Sequence, residues 1–362
     1  MVKTAVLTKQ GTIELREQPK PELEEGAILL KTAYSEVCGT DIHLKKGHLS
    51  GVPYPIIPGH VSTGIISELN GSVTDIEGNP LKIGDPVTFL DVHETCNSCW
   101  YCLVAKTRTL CPHRKVYGIT YSANEGLLGG WSQYIYLKPG VKIIKLPHPS
   151  FMRAYMAGGC GLPTAIHAIQ RSKINLGDTV AVQGSGPVGL MAALCAKLSG
   201  AFQVILLGGP LHRLDLAKKF EIETRINIMD HDPKSRVQEV LDATQGRGAD
   251  VTIEATGVPS AIKEGMEMTR NGGTYTIVGQ YTNAGNIDIN PHLHINSKHL
   301  TIRGSWGTDY SHVYLAVKLI AKFGDKFPFE SIISREYSLD EADEALKNVE
   351  KLEVMKALIT PN

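Results

Sequence analysis

The chain has 362 residues, which is too long for a single hydrophobic core of ordinary size, so we expect two domains. Its 37 lysines and arginines balance 37 aspartates and glutamates, which argues against a basic surface for nucleic acid or for an anionic membrane. The first residues contain no apolar run typical of a signal peptide, and no stretch is long enough to span a bilayer. We therefore expect a cytoplasmic protein without a nucleic-acid or membrane partner.

The first part of the chain predicts short β-strands. Apolar or alternating runs at 27–34, 64–68 and 86–90 are separated by Gly, Pro and Asn residues. This pattern is typical of a small barrel-like domain with long loops.

Near Pro163 the pattern changes to alternating strands and helices, which predicts a parallel sheet built from βαβ units. The predicted strands are 179–183, 204–207, 251–255 and 274–278, and the predicted helices are 188–198, 211–220 and 260–269. After residue 304 the sequence predicts helices at 313–323 and 338–349 and a closing strand at 355–360. Ser338 and Glu341 have the spacing of a capping box, which defines the start of the last helix.

A Gly-Ser-Gly-Pro-Val-Gly run follows the first strand of this alternating region and opens its first helix. Gly184 permits the tight turn, Gly186 lets the backbone approach a pyrophosphate, and Gly189 lets the helix pack closely against the strand. Pro187 and Val188 complete the run, where the amides of the helix N-terminus face the phosphates. A glycine-rich turn without a ligand is the alternative interpretation. We expect NAD or NADP to bind here.

The choice between NAD and NADP depends on the end of the next strand, about twenty residues further on. An acidic residue there binds the ribose hydroxyls and repels a 2′-phosphate, but this chain has Gly208 at that place. No Lys or Arg follows immediately, and Arg213 either caps the helix or covers the adenine. The sequence leaves the coenzyme open.

Four of the seven cysteines lie close together, at positions 96, 99, 102 and 111. Two-residue gaps suit one metal ion better than pairwise bridges in a cytoplasmic chain. Zinc favours four thiolates in structural sites, and such a site would cross-link a loop without a core of its own. Disulfides or four independent thiols are the alternative. The predicted structural zinc ligands are Cys96, Cys99, Cys102 and Cys111.

Three further residues have ligand chemistry but are far apart, and spacing alone does not group them. Taken singly, His60 is more often a loop or core histidine and Cys160 a small buried apolar residue. Together with Cys38 they would form a Cys, His, Cys set with a fourth position open, as a catalytic zinc requires.

Several motifs resemble those of the zinc-dependent medium-chain alcohol dehydrogenase family. The Cys-Gly-Thr-Asp-Ile-His run from Cys38 resembles its first zinc-ligand motif, and the Gly-His-Val run around His60 resembles its G-H-E-x-x-G motif. The cysteine cluster, the glycine fingerprint and the Ala-Thr-Gly run from Ala255 follow in the family's order. The resemblance covers essentially the whole chain.

The resemblance implies an α/β fold with a GroES-like β-rich catalytic domain at 1–161 and a Rossmann domain at 162–304. Residues 305–362 would return to the catalytic domain, and the active site would lie in the cleft between the domains. The implied activity is zinc-dependent hydride transfer between an alcohol and NAD or NADP, giving an aldehyde or a ketone. A small-molecule alcohol or carbonyl compound would be the substrate, and we expect a homodimer or a homotetramer.

The resemblance also implies roles for single residues. The implied ligands of the catalytic zinc are Cys38, His60 and Cys160. Thr40 would take the substrate proton, His43 would pass it towards solvent, and Asp41 would orient the zinc-bound histidine. Thr164, Val188 and Val278 match positions that touch the nicotinamide, although a helix N-terminal residue and two core valines are the alternative interpretations.

Three positions depart from the family pattern. Val61 stands where a glutamate usually follows the zinc histidine, so a mechanism that uses this carboxylate is in doubt. The gap between Cys102 and Cys111 is one residue longer than usual, and Gly39 stands where some members carry a basic residue. The alternatives to a zinc dehydrogenase are a zinc-independent enoyl or quinone reductase and a non-catalytic cofactor-binding homologue.

Overall fold

The computed structural model describes all 362 residues, which divide into two compact units. Unit 1 comprises Met1–Cys160, Asp309–Lys322 and Phe329–Asn362, and unit 2 comprises Gly161–Thr308 and Phe323–Pro328. The domain bounds 1–161, 162–304 and 305–362 stay a prediction.

The first 160 residues are mostly β-strand. Their strands are β1 (Val2–Leu7), β2 (Ile13–Gln18), β3 (Ile28–Val37), β4 (Ser62–Leu69), β5 (Pro86–Phe89), β6 (Val92–Glu94), β7 (Lys115–Val116), β8 (Tyr134–Leu137) and β9 (Ile143–Lys145). Their helices are α1 (Gly39–Lys45), α2 (Trp100–Leu103) and α3 (Phe151–Gly158).

The following residues alternate between helix and strand. The helices are α4 (Gly161–Ser172), α5 (Pro187–Leu198), α6 (Leu211–Lys218), α7 (Pro233–Ala243) and α8 (Ser260–Met268). The strands are β10 (Thr179–Gln183), β11 (Gln203–Gly208), β12 (Thr224–Asn227), β13 (Ala249–Glu254), β14 (Thr269–Ile277) and β15 (Thr301–Gly304). The chain ends with α9 (Tyr310–Phe323), β16 (Ile333–Tyr337), α10 (Ala342–Glu350) and β17 (Lys356–Ile359).

Unit 1 is built on a seven-stranded sheet with the order β16-β17-β3-β4-β5-β9, and β8 also pairs with β3. Most neighbours are antiparallel, and β16 and β17 are parallel. Its core includes Leu30, Tyr117 and Trp131, all fully buried. The C-terminal strand β17 pairs with β3, so the end of the chain joins the same sheet as residues 28–37.

Unit 2 contains a six-stranded parallel sheet with the order β12-β11-β10-β13-β14-β15. The first strand, β10, lies in the middle between β11 and β13, which is the Rossmann strand order. The central strands are apolar because both of their faces are buried, as at Ala181 and Ile205. The predicted α/β fold class is confirmed.

Two further sequence predictions concern the helices. The capping box is present: Ser338 donates its backbone N–H to the Glu341 carboxylate at 2.8 Å. A short 3₁₀ turn, Leu339–Glu341, lies between this cap and α10. None of the helices combines the length and the apolar character that crossing a bilayer requires.

Candidate active site and metal centres

The glycine fingerprint forms the turn between β10 and α5 in unit 2. Gly184 has a φ of +110°, and a Cβ there would lie 2.6 Å from the Ala255 carbonyl oxygen. A Cβ on Gly189 would overlap the Gly184 carbonyl oxygen, so helix and strand approach too closely for any side chain. Gly186 caps the helix and Pro187 is its first residue. A Cβ on Gly186 would meet only the Arg213 guanidinium within 4 Å, so the space beside this glycine is open. The turn therefore has the shape that a pyrophosphate requires.

Gly208, at the end of β11, lies against the fingerprint turn. A Cβ on Gly208 would overlap the Ser185 side chain and lie 2.7 Å from the Ser185 backbone nitrogen. The Ser185 hydroxyl is fixed there, since it accepts the Gly209 N–H at 3.0 Å and donates to the Gly209 carbonyl at 3.1 Å. Position 208 therefore has no room for an acidic side chain, the residue type that would bind the ribose hydroxyls of NAD.

Arg213 lies on α6 with only 6% of its surface exposed. Burial lowers the pKa of its guanidinium from the usual value. A Cβ on Gly186 would lie 3.9 Å from Nη1 of Arg213, so the guanidinium lies beside the fingerprint turn.

The other predicted coenzyme residues also lie in unit 2. Thr164 is half-buried in the first turn of α4, Val188 is half-buried in the first turn of α5, and Val278 is buried directly after β14. Their contact with a nicotinamide stays a prediction.

Glu254, the fully buried last residue of β13, also belongs to this region and was not predicted from the sequence. Its Oε1 accepts the backbone N–H groups of Thr256 and Gly257, each at 2.7 Å, and its Oε2 accepts that of Gly279 at 3.0 Å. One carboxylate therefore holds the loops that follow two neighbouring strands. The sequence signal for this role is an acid at the end of an apolar strand, directly before the Ala-Thr-Gly run.

The four clustered cysteines lie in a lobe between β6 and β7 of unit 1. The sulfur pairs Cys96–Cys111 and Cys99–Cys102 are each 3.6 Å apart, Cys99–Cys111 is 3.9 Å apart and Cys96–Cys102 is 4.0 Å apart. Tetrahedral zinc with Zn–S bonds of about 2.3 Å separates its sulfurs by about 3.8 Å. A disulfide would require about 2.05 Å. The donor set fits a structural zinc.

The lobe around these sulfurs has little core of its own. Trp100, Leu103 and Val104 are exposed, so burial of apolar side chains does not stabilise this segment. Metal ligation therefore has to stabilise it. A 3₁₀ turn directly precedes Cys111 and accommodates the longer gap to this ligand. Hydrogen bonds from Ser98 lower the pKa of the Cys96 thiol to about 5, which favours the thiolate that binds zinc.

The second predicted metal group is also brought together. Cys38, His60 and Cys160 each offer a donor atom, and these atoms lie within 4.8 Å of one another. Cys38 caps α1, His60 lies two residues before β4, and Cys160 lies between α3 and α4. All three belong to unit 1. Three protein donors leave the fourth tetrahedral position of a zinc ion open.

Buried polar atoms beside these donors also fit a metal ion. Nδ1 of His60 and Oδ1 of Asp41 are buried without a hydrogen-bond partner. Burial by itself lowers the pKa of His60. The hydrogen bond with the Cys160 thiol and the charge of the Asp41 carboxylate outweigh this effect, and the pKa rises to about 10. Zinc binds neutral imidazole and would replace that proton with its own charge.

Helix α1 carries the predicted proton-transfer residues close to Cys38. Asp41 is 1% exposed, and its Oδ2 accepts the Cys38 N–H at 2.9 Å. Thr40 donates its own N–H to the Cys38 sulfur at 3.3 Å. His43 lies one turn beyond Thr40, with its Nδ1 at 3.2 Å from Nδ1 of His48. Burial lowers the pKa of His43, and the His48 and Lys46 charges lower it further.

Comparisons with known proteins agree with this geometry. Residues 24–148 match the family "Alcohol dehydrogenase GroES-like domain", and residues 187–322 match "Zinc-binding dehydrogenase". The chain is 33% identical to 5-exo-hydroxycamphor dehydrogenase of Pseudomonas putida, over 99% of this chain and 98% of that one.

Two solved structures are also similar. An alcohol dehydrogenase from Thermotoga maritima has a TM-score of 0.94 and 32% identity, covering 100% of this chain and 99% of its own. A dehydrogenase from Sinorhizobium meliloti, bound to NADP, has a TM-score of 0.85 and 27% identity, with 100% and 99% of the two chains covered.

The chain therefore belongs to the zinc-dependent medium-chain alcohol dehydrogenase family, as the motifs predict. It is an oxidoreductase that uses zinc and a nicotinamide coenzyme to interconvert alcohols and carbonyl compounds, with a small molecule as its substrate.

Proposed function

We propose that this enzyme oxidises a secondary alcohol to a ketone, and reduces the ketone in the reverse direction, at a zinc ion held by Cys38, His60 and Cys160. The convergence of these three donor atoms within 4.8 Å is the observation that carries the proposal. The third donor is Cys160, and the family resemblance implies a glutamate at this position in the polyol-oxidising branch, so a cysteine favours simple and secondary alcohols. The Pseudomonas putida relative named for hydroxycamphor, a secondary alcohol, supports the same class.

The bound groups supply the redox chemistry. A zinc ion held by Cys38, His60 and Cys160 would supply a Lewis acid for the alcohol oxygen; bound zinc lowers the pKa of water from about 15.7 to about 7, which gives the scale of this effect on a hydroxyl. A nicotinamide coenzyme bound at the fingerprint turn would supply the hydride acceptor or donor.

The chain's own residues transfer the proton and position the zinc ligands. The hydroxyl of Thr40 would take the proton that the alcohol loses while it releases its own, and the neutral imidazole of His43, on the same face of α1, would receive the released proton and pass it to solvent. The lowered pKa of His43 keeps its imidazole neutral near pH 7, so it is able to accept the proton. Asp41 would orient His60 once zinc is bound: its carboxylate holds Cys38 through Oδ2, its Oδ1 has no other hydrogen-bond partner, and its negative charge raises the pKa of His60.

We also propose that the coenzyme site accepts NADP. Gly208 offers no carboxylate against a 2′-phosphate, and Ser185 occupies the space that a side chain there would need. The buried Arg213 guanidinium adds positive charge beside the fingerprint turn. The Sinorhizobium meliloti neighbour, which binds NADP, supports this choice.

The coenzyme proposal is tested by kcat/KM for NADP and NAD with the parent enzyme and with Arg213→Gln. We expect NADP to be used at least as well as NAD, and Arg213→Gln to lower kcat/KM for NADP more than for NAD. A parent enzyme that uses only NAD would contradict the proposal, as would equal losses in the variant.

We propose a homodimer or homotetramer in the cytoplasm. Strand β15 is an edge strand that pairs only with β14, and its Ile302 side chain is exposed. The free edge of β15 is therefore available to pair with a second copy of the chain. None of the seven cysteines forms a disulfide, which suits a reducing compartment. Analytical ultracentrifugation gives the assembly state, and a monomer at all concentrations would contradict this proposal.

The main test is a spectrophotometric assay of nicotinamide reduction with primary, secondary, aromatic and polyol alcohols, with and without a chelator. We expect the secondary alcohols to give the highest kcat/KM and the chelator to abolish turnover. Cys38→Ser should lose activity and one zinc per chain, while Cys195→Ser, at a buried cysteine outside both metal groups, should keep both. Turnover that is indifferent to metal removal would favour a zinc-independent reductase, and preference for polyols would correct the substrate class.

A further inference from the structure

A buried ion pair lies directly beside the proposed catalytic zinc ligands. Nζ of Lys356 is 2.6 Å from Oε1 of Glu36, and the side chains are 0% and 2% exposed. The two residues are 320 positions apart in the sequence. Removing two charges from water costs several kcal/mol per ion, which mutual attraction offsets only in good geometry with further hydrogen bonds.

Those further hydrogen bonds all go to the segment that carries Cys160. The other carboxylate oxygen of Glu36, Oε2, accepts the Cys160 backbone N–H at 2.7 Å. Nζ of Lys356 donates to the Gly158 carbonyl oxygen at 3.3 Å. The Cys160 sulfur lies 3.5 Å from Oε1 of Glu36. The ion pair therefore holds both ends of the three-residue segment 158–160.

The middle residue of this segment is shaped around the ion pair. Gly159 has a φ of +46°, and a Cβ on it would overlap both the Glu36 carboxylate and the Lys356 ammonium group. A glycine is thus required for the backbone to pass this close to the two charges.

The protein scaffold fixes the ion pair from the other side. The Glu36 carbonyl accepts the indole N–H of Trp131 at 3.2 Å, and its backbone N–H donates to the Val61 carbonyl at 3.0 Å. Glu36 belongs to β3 and Lys356 to β17, which are paired strands of one sheet. Val61 places no carboxylate at the site, so the acid beside Cys160 comes from the neighbouring strand instead.

We propose that the Glu36–Lys356 ion pair, which we call the clamp, positions Cys160 as a zinc ligand and keeps the charge of the site balanced. The inference rests on the proposed ligand role of Cys160. Two thiolates cancel the charge of a zinc ion, and an unpaired Glu36 would add a negative charge that repels the Cys160 sulfur. Lys356 removes that excess charge and ties the segment to β17. Glu36 and Lys356 are positioning residues that act through Cys160.

The test measures metal binding at the two zinc sites separately. Purified protein is equilibrated with graded concentrations of a chelator, and zinc per chain is determined. We expect Lys356→Met to release one zinc at about 10- to 100-fold lower chelator concentration than the parent, the usual effect of losing a partner of a metal ligand. The zinc of the four-cysteine lobe should remain and show that the loss is specific to the site of Cys160. Lys356→Arg, which keeps the charge and the donors, should restore affinity.

Two further variants keep the experiment decisive. Glu36→Gln/Lys356→Met leaves no unpaired buried charge, so it tests the clamp even where Lys356→Met fails to fold, and it should still bind the catalytic zinc more weakly. Lys3→Met, which removes an exposed ion pair with Asp340, is the matched control and should behave as the parent.

Cobalt substitution gives a readout independent of activity. The sulfur-to-cobalt absorption reports the two thiolates, and we expect the Cys38/Cys160 contribution to shift in the clamp variants but not in Lys3→Met. Parent-like zinc affinity and an unchanged cobalt spectrum in the double variant would overturn the clamp. If Cys38→Ser also keeps both zinc ions, the ligand assignment itself is wrong; if only the clamp variants do, the fault lies with the clamp alone.

Discussion

The contact between Gly208 and Ser185 predicts that a single methyl group at position 208 destabilises the coenzyme-binding unit. Gly208→Ala is the smallest possible change, and the backbone at this position does not have a positive φ, so the substitution causes no backbone strain. The added Cβ would overlap the Ser185 side chain, however, and lie 2.7 Å from its backbone nitrogen. Ser185 has to move.

The magnitude follows from what Ser185 loses. Its hydroxyl makes two hydrogen bonds to Gly209, at 3.0 and 3.1 Å. Such bonds contribute about 0.5–1.5 kcal/mol each, and overpacking a tight site costs about 1–3 kcal/mol. Because moving Ser185 relieves part of the overlap, we expect a loss of about 2–4 kcal/mol in the free energy of unfolding.

The measurement is differential scanning calorimetry of the zinc-loaded enzyme without coenzyme. For a unit of about 150 residues, with about 4 °C per kcal/mol, the melting temperature of unit 2 should fall by about 8–16 °C. The matched control is Gly304→Ala, at a strand end of the same unit, where a Cβ would meet nothing within 4 Å. Adding Ser185→Gly to Gly208→Ala should recover part of the loss. Equal melting temperatures for the Gly208 and Gly304 variants would refute the reasoning.

Three further predictions concern unit 1. Cys102→Ser removes one of four sulfurs, so we expect loss of one zinc per chain and rapid proteolysis of the 92–116 lobe, measured by metal analysis and limited digestion. Thr40→Val should lower kcat for alcohol oxidation by about 10²- to 10⁴-fold, as expected for loss of a proton acceptor. His48→Ala removes a charge that lowers the pKa of His43. The pKa of His43 should rise, neutral imidazole should form only at higher pH, and the acid limb of kcat/KM against pH should move upward.

Each of these predictions has an outcome that contradicts it. A Cys102→Ser protein with both zinc ions and an intact lobe would show that three sulfurs suffice. Thr40→Ser keeps the hydroxyl and should retain most activity, so an equal loss in the Ser and Val variants would argue for packing. An unmoved acid limb in His48→Ala would mean that His43 does not control the protonation step.

The sequence predicts much of the fold because local patterns carry it. The strand 179–183 and the start of the helix after it agree with β10 and α5, since apolar runs and the glycine fingerprint mark both. Helix α7 and strand β12 were not predicted. Helix α7 buries only Val240 among its eleven residues, so it has almost no apolar face from which to recognise it.

For the candidate site, the sequence by itself determined what is local: the four cysteines of one lobe, the Gly184–Gly189 turn, and the closeness of Thr40, Asp41 and His43 to Cys38 along the chain. Close spacing along the chain restricts distances in space, so these groups follow from the order of residues.

Contacts between residues that are far apart in the sequence were decided only by the tertiary structure. The convergence of Cys38, His60 and Cys160 was known beforehand only through resemblance, and nothing in the sequence linked Ser185 to Gly208 or Glu36 to Lys356. Pairing of strand β3 with strand β17 brings Glu36 and Lys356 together across 320 residues. Side chains at that separation have no preferred distance until the sheet forms, so their chemistry appears only in the folded protein.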